Sequence, residues 1–142
     1  MKKRGPIVII DDDEDDREII KEVLFSLEHQ NEIVAFPDGA SALEYFSNHS
    51  AAPFLIICDV NMPGMNGYQL REHLLADDKL LVKTVPFIFF TTAAAPDSVK
   101  RAYRQSLQGF FHKPTDYQEL QNVLHKIVAY WKTADIPGGV TA

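Results

Sequence analysis

The sequence of 142 residues has few of the features that mark several large classes of protein. It contains one cysteine, Cys58, so no disulfide can form within the chain, and we expect a reducing compartment. No apolar run approaches the roughly 20 residues that a membrane-spanning helix needs. The apolar run at residues 7–10 ends at a cluster of acids, which excludes the core of a signal peptide. These absences predict a cytoplasmic protein without a membrane partner.

An excess of positive charge is also absent. The chain has 14 lysines and arginines against 20 acidic residues, which gives a formal net charge of −6. A nucleic-acid-binding domain is expected to be basic, so we predict no direct contact with nucleic acid. The turn after the first apolar run is acidic rather than glycine-rich and would repel a pyrophosphate, which argues against a nucleotide-binding domain.

Short apolar runs alternate with amphipathic segments five times along the chain. The runs lie at residues 7–10, 32–36, 54–58, 87–90 and 109–112. Strands that alternate with helices in this way predict a doubly wound parallel sheet with helices on both faces, in the α/β class. We predict one domain over residues 1–142, with a core at about 6–132 and a tail at 133–142.

Polar side chains follow four of the five apolar runs, at the point where each run ends. They are Asp11, Asp12, Asp59, Thr91, Thr92 and Lys113. Ligands of open parallel sheets bind outside the carboxyl ends of the strands, where the strand order reverses. In the strand order 2-1-3-4-5, that reversal lies between strands one and three, which the acids follow. The sequence therefore predicts one functional site built from four segments.

The residue types at this site suit phosphoryl transfer. Ionised carboxylates at Asp11, Asp12 and Asp59 would repel one another, and a hard divalent cation such as Mg²⁺ removes that conflict. An aspartate can attack phosphorus to form an acyl phosphate. A lysine and a hydroxyl, here Lys113 and Thr91, can then neutralise or bind the oxygens of the transferred group.

The sequence resembles the receiver domains of two-component response regulators, the CheY-like family. The residues that carry the resemblance are Ile9–Asp12, Cys58–Gly67, Phe90–Ala93 and Phe111–Pro114. They stand in the order and at the separations that are usual in this family, and the likeness spans about residues 7–130. It implies a flavodoxin-like (βα)5 fold with strand order 2-1-3-4-5.

The resemblance also implies a role for each residue of the phosphorylation site. Asp59 matches the phospho-acceptor, and Asp12 matches a direct ligand of Mg²⁺. Asp11 matches the acid that acts through a metal-bound water. Asn61 would offer its backbone carbonyl to the metal. Lys113 would pair with Asp59 and afterwards with its phosphoryl group.

Three further residues have implied roles in switching. Thr91 matches the switch hydroxyl, and Phe110 matches the aromatic residue that rotates inward when Thr91 moves. Pro114 occupies a position where the preceding peptide bond is usually cis in the family, which would help to aim Lys113. Phe110 lacks the hydroxyl of the tyrosine that is common there, so an apolar rotamer change is expected instead.

Other residues depart from the family pattern or have an ordinary structural explanation. Asn66 replaces an aspartate that is common before Gly67, and we expect it to serve nearly as well in the turn. Thr92 replaces a residue that is frequently small. The acids at residues 13–16 are interpreted as charges at a helix start. Cys58 is interpreted as a small core residue rather than a nucleophile.

The predicted function is a stand-alone response regulator rather than an enzyme, with catalysis limited to its own phosphoryl transfer and autodephosphorylation. The phosphoryl donor would be a sensor histidine kinase or a histidine phosphotransfer protein. The chain is more similar to single-domain regulators paired with phytochrome-type sensor kinases than to other members of the family. The residues that carry this finer resemblance are Thr91-Thr92, Tyr130-Trp131 and Pro137. The output would be a protein contact through the fourth helix, fifth strand and fifth helix, with a homodimer as one form.

Two other functions use the same residues differently. One is a receiver-like interaction module that works without phosphorylation, which the intact set of site residues argues against. The other is an aspartyl-phosphate phosphatase of the haloacid-dehalogenase type. That chemistry normally needs a second aspartate two positions after the nucleophile, and this position holds Asn61.

Overall fold

The computed structural model describes residues 4–27, 30–48, 52–77, 85–92, 96–105 and 107–135. Strands and helices alternate strictly along the described chain. In chain order they are β1 (Ile7–Ile10), α1 (Glu14–Ser26), β2 (Ile33–Phe36), α2 (Gly39–Asn48), β3 (Leu55–Cys58), α3 (Gly67–Ala76), β4 (Phe87–Thr91), α4 (Pro96–Arg104), β5 (Gly109–His112) and α5 (Tyr117–Thr133). The five strands form one parallel sheet in the order β2-β1-β3-β4-β5. The predicted flavodoxin-like fold and strand order are confirmed.

The register of the sheet brings the ends of β1 and β3 together. Ile10 is the partner of Cys58, and the backbone N–H of Asp59 donates to the carbonyl oxygen of Ile10 at 2.8 Å. On the other side, the N–H of Lys113 donates to the carbonyl oxygen of Thr91 at 2.8 Å. The polar residues after these strands therefore share one edge of the sheet, as expected.

The sheet separates two apolar cores, because side chains alternate between its faces. Val8 and Ile10 of β1 face the core formed with α2, α3 and α4. Ile7 and Ile9 face the core formed with α1 and α5. All four of these residues are fully buried. This explains why β1 is an uninterrupted apolar run, as is typical of a strand covered on both faces.

Side-chain caps fix where three of the helices begin. Asp13 caps α1 by accepting from the N–H of Asp16, and Asp116 caps α5 by accepting from the N–H of Glu119. Asn66 caps α3 and forms a reciprocal capping box with Gln69. A cap of this kind stabilises a helix by about 1 kcal/mol. Asn66 therefore performs the turn function that was expected of it.

The strands depart from the predicted apolar runs by one residue at a few ends. β4 extends past residue 90 to include Thr91, and β3 begins at Leu55 rather than at Phe54. Residues 136–142 of the predicted tail, which include Pro137, lie outside the described part of the chain. Within the described part, none of the helices combines the length and the apolar character that crossing a membrane requires.

Candidate functional site

Three carboxylates converge where the carboxyl ends of β1 and β3 meet. One oxygen from each of Asp11, Asp12 and Asp59 lies within 4.8 Å of the other two. Asp11 is buried, Asp12 is exposed, and Asp59 is 9% exposed, so the cluster opens to solvent on one side. A hard cation with oxygen ligands suits this donor set. The three residues could hold Mg²⁺ and leave other ligand positions to water.

The electrostatics of Asp11 fit a cation at this position. Burial raises the pKa of Asp11 from 3.8 to about 6, against the opposing effect of a hydrogen bond from Lys113. The charge of Asp59 also raises the pKa of Asp11. A buried carboxylate beside like charges is costly to ionise, and a bound divalent cation would favour the ionised form.

The two oxygens of Asp59 have different surroundings. Oδ1 accepts the backbone N–H of Val60 at 2.7 Å, which fixes the orientation of the carboxylate. Oδ2 lies 3.6 Å from Nζ of Lys113. A carboxylate that is held by the backbone and still reaches solvent meets the geometric requirement for a nucleophile.

Lys113 is closer to two other acids than to Asp59. Its Nζ lies 2.5 Å from Oδ2 of Asp11 and 2.9 Å from Oδ2 of Asp16. Burial alone would lower the pKa of Lys113, but the hydrogen bonds to Asp11 and Asp16 raise it above its ordinary value. The lysine is therefore charged, as predicted, but Asp59 is its most distant carboxylate partner of the three.

Asp16 was interpreted from the sequence as a charge at the start of a helix, and this interpretation is incomplete. Its backbone N–H is indeed capped by Asp13, yet its side chain pairs with Lys113. The signal that could have revealed this is topological. The first turn of α1 and the end of β5 lie on the same side of the sheet edge, so an acid in that turn can reach the lysine after β5.

Thr91 carries a buried hydroxyl with no hydrogen-bond partner among the described residues. The residue is 1% exposed, and its Oγ1 is unsatisfied. Burying such a group costs free energy unless a partner compensates. An oxygen of a phosphoryl group on Asp59 would supply an acceptor, so the hydroxyl fits the implied role of Thr91. Its neighbour Thr92 is exposed.

Phe110 is partly buried and packs against the core formed with α2, α3 and α4. Its ring meets that of Phe89 edge to face, with centroids 5.9 Å apart, and Phe89 meets Tyr68 in the same way at 5.2 Å. A partly buried phenyl group can change rotamer without breaking a hydrogen bond. Its predicted role as an apolar switch residue stays a prediction.

The first residue of α3, Gly67, approaches the site closely, and the sequence did not single it out as a site residue. Its N–H donates to the carbonyl oxygen of Val60 at 2.9 Å. A Cβ atom on Gly67 would lie 2.6 Å from the backbone oxygen of Asp59 and 2.9 Å from a ring carbon of Phe89. Only a glycine allows this approach without a shift of the backbone. Asn61 lies in the loop between β3 and α3 and is exposed.

One implied feature of the site is wrong. The peptide bond before Pro114 was expected to be cis, but the described chain contains no cis peptide bond. The position of Lys113 instead depends on the strand hydrogen bond to Thr91 and on the ion pairs with Asp11 and Asp16.

Comparison with known proteins identifies the class of protein that this fold and site define. The sequence profile of the response regulator receiver domain matches residues 7–125. The chain therefore belongs to the response regulator receiver family. Receiver domains are signalling switches rather than classical enzymes, and they take phosphoryl groups from histidine kinases.

Curated relatives of similar length support the same conclusion. The chemotaxis protein CheY of Pseudomonas aeruginosa is 35% identical over 121 residues, which cover 85% of this chain and 94% of that protein. CheY-3 of Vibrio cholerae is 31% identical over 127 residues, with 89% and 94% covered. The chain is thus CheY-like over most of its length.

Solved structures share the fold. The phosphorylated cyanobacterial phytochrome response regulator RcpA superposes with a TM-score of 0.84 at 24% identity, covering 94% of this chain and 99% of that one. A response regulator receiver domain from Rhodospirillum rubrum gives a TM-score of 0.81 at 25% identity, with 93% and 96% covered.

Proposed function

We propose that this protein is a phospho-acceptor switch in which Asp59 receives a phosphoryl group in a reaction that depends on Mg²⁺. The observation that carries the proposal is the cluster of Asp11, Asp12 and Asp59, with Nζ of Lys113 3.6 Å from Asp59. At the same edge of the sheet, the buried hydroxyl of Thr91 has no hydrogen-bond partner among the described residues. The histidine kinases that phosphorylate receiver domains make a sensor kinase or a histidine phosphotransfer protein the expected donor.

Transfer of the phosphoryl group to Asp59 requires one bond to form and one bond to break. One carboxylate oxygen of Asp59 attacks the phosphorus of the donor and forms an acyl phosphate. The bond between phosphorus and the donor nitrogen breaks, and the donor keeps that electron pair. Asp11, Asp12 and Asp59, with the backbone carbonyl of Asn61, would hold Mg²⁺, which supplies positive charge to the phosphoryl oxygens when bound.

Lys113 and Thr91 respond to the new group from the protein side. Nζ of Lys113 is already 3.6 Å from Oδ2 of Asp59, so a small movement brings it to a phosphoryl oxygen. Thr91 can donate its free hydroxyl to a second oxygen. Because Thr91 lies on β4 and Phe110 on the neighbouring strand β5, a shift of Thr91 makes room for Phe110 to rotate inward.

The output of the switch would be a protein contact on the face formed by α4, β5 and α5. Three large aromatic residues of this region are exposed, namely Tyr103, Tyr117 and Tyr130. They suit either a downstream protein or a second copy of the chain. The fold shared with RcpA supports a phytochrome-type sensor kinase as the source of the signal.

Beryllium trifluoride with Mg²⁺ tests the proposal, because it mimics a phosphoryl group on an aspartate. We expect the two together to shift the backbone amide NMR signals of Thr91 and Phe110 beyond any shift that Mg²⁺ alone produces. We expect beryllium trifluoride without Mg²⁺ to leave these signals unchanged. Asp59→Asn should abolish the response. If the wild type shows no change at saturating concentrations, the proposal is contradicted and an interaction module that works without phosphorylation is favoured.

A further inference from the structure

The charged atom of Lys113 lies between α1 and the phosphorylation site rather than against the acceptor. It is 2.9 Å from Asp16 and 3.6 Å from Asp59, with Asp11 closer than either. Asp11 and Asp59 belong to the acidic cluster that suits a cation, whereas Asp16 stands outside it. Asp16 is thus a partner that Lys113 would keep when a cation occupies the other acids.

The backbone of α1 holds Asp16 in place. Its N–H donates to the capping carboxylate of Asp13 at 3.0 Å, so Asp16 sits in the first helical turn. The helix dipole favours an ionised acid there. Arg17, the next residue, donates from Nη1 to the backbone oxygen of Asp11 at 2.9 Å and ties this turn to the end of β1. These two hydrogen bonds therefore fix the backbone from which the carboxylate of Asp16 reaches Lys113.

Side-chain packing does not confine the ammonium group of Lys113 on the side that faces α1. A cavity of about 290 Å³ lies between the starts of α1 and α5, and Asp16, Thr92, Lys113 and Pro114 contribute to its lining. The side chain of Asp16 is 38% exposed, while that of Lys113 is 7% exposed. With open space beside it, Lys113 is drawn toward α1 by the charge of Asp16 rather than by steric contact.

We propose that Asp16 is a positioning residue that holds Lys113 in the unphosphorylated protein and competes with the phosphoryl group for it. This inference rests on the proposed function of Asp59. A phosphoryl group brings additional negative charge, so Lys113 must move from Asp16 toward Asp59 to neutralise it. Asp16 also adds a like charge near the transferred group. Both effects make Asp16 lower the affinity of the site for a phosphoryl group.

The test compares charge-matched variants of the full chain. Asp16→Asn removes the competing charge and keeps the side-chain size. Asp15→Asn makes the same charge change at an exposed neighbour that forms no ion pair among the described residues. Asp16→Glu restores the charge. The quantity measured is the apparent dissociation constant of beryllium trifluoride at a fixed saturating concentration of Mg²⁺.

We expect Asp16→Asn to bind the phosphoryl analogue up to about fivefold more tightly than Asp15→Asn, since a partly exposed ion pair has effects of this size. Asp16→Glu should return the constant toward the wild-type value. The ammonium ¹⁵N signal of Lys113 should shift in unliganded Asp16→Asn and remain unchanged in Asp15→Asn. The ¹⁵N chemical shift of the ammonium group reports directly on the surroundings of Lys113. A purely structural effect of the substitution would leave this chemical shift unchanged.

The outcomes separate this inference from the proposed function. If the wild type binds no analogue, the assignment of Asp59 fails. If the wild type binds and Asp16→Asn equals Asp15→Asn, or binds more weakly, then Asp16 does not compete for Lys113 and the inference is wrong while the phospho-acceptor function stands.

Discussion

The backbone N–H of Asp59 donates to the carbonyl oxygen of Ile10 at 2.8 Å, so the pairing between β3 and β1 continues past the end of β3 to Asp59 itself. Asp11, which follows Ile10, is consequently a fixed neighbour of Asp59. The sheet itself, rather than a flexible loop, sets the distance between these two acids. This rigidity is what a site must have to hold a cation beside a nucleophile.

The raised pKa of Asp11 predicts how stability depends on pH when Mg²⁺ is absent. The pKa is about 6 in the folded protein and 3.8 ordinarily, so the folded state binds the proton more tightly. The resulting stabilisation is fully present below the ordinary pKa and is lost as the pH rises through about 6. We expect the contribution of Asp11 to the free energy of unfolding to fall by about 1 kcal/mol between about pH 5 and about pH 7.5.

Urea unfolding of the wild type and of Asp11→Asn, both without Mg²⁺, measures this contribution as a difference. The asparagine cannot titrate, so other ionisable groups cancel to first order. Adding Mg²⁺ at the higher pH should stabilise the wild type more than the variant. A difference between the two proteins that stays constant with pH would contradict the raised pKa.

The unpartnered hydroxyl of Thr91 predicts opposite effects on stability and on binding. Thr91→Val removes a buried polar group that has no partner among the described residues, so the free energy of unfolding should rise by up to about 1 kcal/mol. The same change removes a hydrogen bond to a charged phosphoryl oxygen. Affinity for beryllium trifluoride with Mg²⁺ should then fall by about tenfold or more.

Thr92→Val is the matched control for this change, because Thr92 is the exposed neighbour. It should leave both quantities nearly unchanged. Chemical denaturation and an analogue titration on the same three proteins provide the comparison. Loss of stability in Thr91→Val without loss of affinity would show that the hydroxyl serves the fold instead.

The close approach of Gly67 to Asp59 predicts that a methyl group there is harmful. An alanine is normally favoured over glycine within a helix by up to about 1 kcal/mol. Here the added Cβ would meet the backbone oxygen of Asp59 at 2.6 Å. We expect Gly67→Ala to lower the free energy of unfolding by about 1–3 kcal/mol and to weaken binding of the phosphoryl analogue.

Gly64→Ala provides the comparison, because Gly64 lies in the loop just before α3. Gly64 has a φ of 74° and open space around its Cβ position. Its substitution should cost about 1 kcal/mol through backbone strain and leave analogue binding unchanged. Equal binding by the two alanine variants would mean that the approach of Gly67 does not shape the site.

The fold and the position of the site could be predicted because they depend on strong local patterns. The five apolar runs are nearly continuous, and an acid or a hydroxyl ends several of them abruptly. Parallel pairing then places Asp11, Asp59 and Thr91 at one edge, whatever the details of the loops. These inferences needed the order of the strands and little else.

Side-chain pairing across distant elements was harder to predict. Asp16 stands in a run of acids that look alike in the sequence, and only the packing of α1 beside β5 distinguishes it. Gly67 is one of 7 glycines, and its importance comes from the close approach of its backbone to the backbone of Asp59. The expectation of a cis peptide bond before Pro114 came from what is usual in the family and not from a physical requirement of this chain. That expectation was wrong.

The central claim is that Asp59 carries the phosphoryl group, and mapping the modified residue tests it most directly. The full chain is treated with acetyl phosphate and Mg²⁺, the acyl phosphate is trapped by borohydride reduction, and peptides are sequenced by mass spectrometry. We predict the reduced residue at Asp59, its absence without Mg²⁺, and normal labelling of Asp15→Asn. A trapped residue elsewhere, or undiminished labelling of Asp59→Asn, would contradict the account.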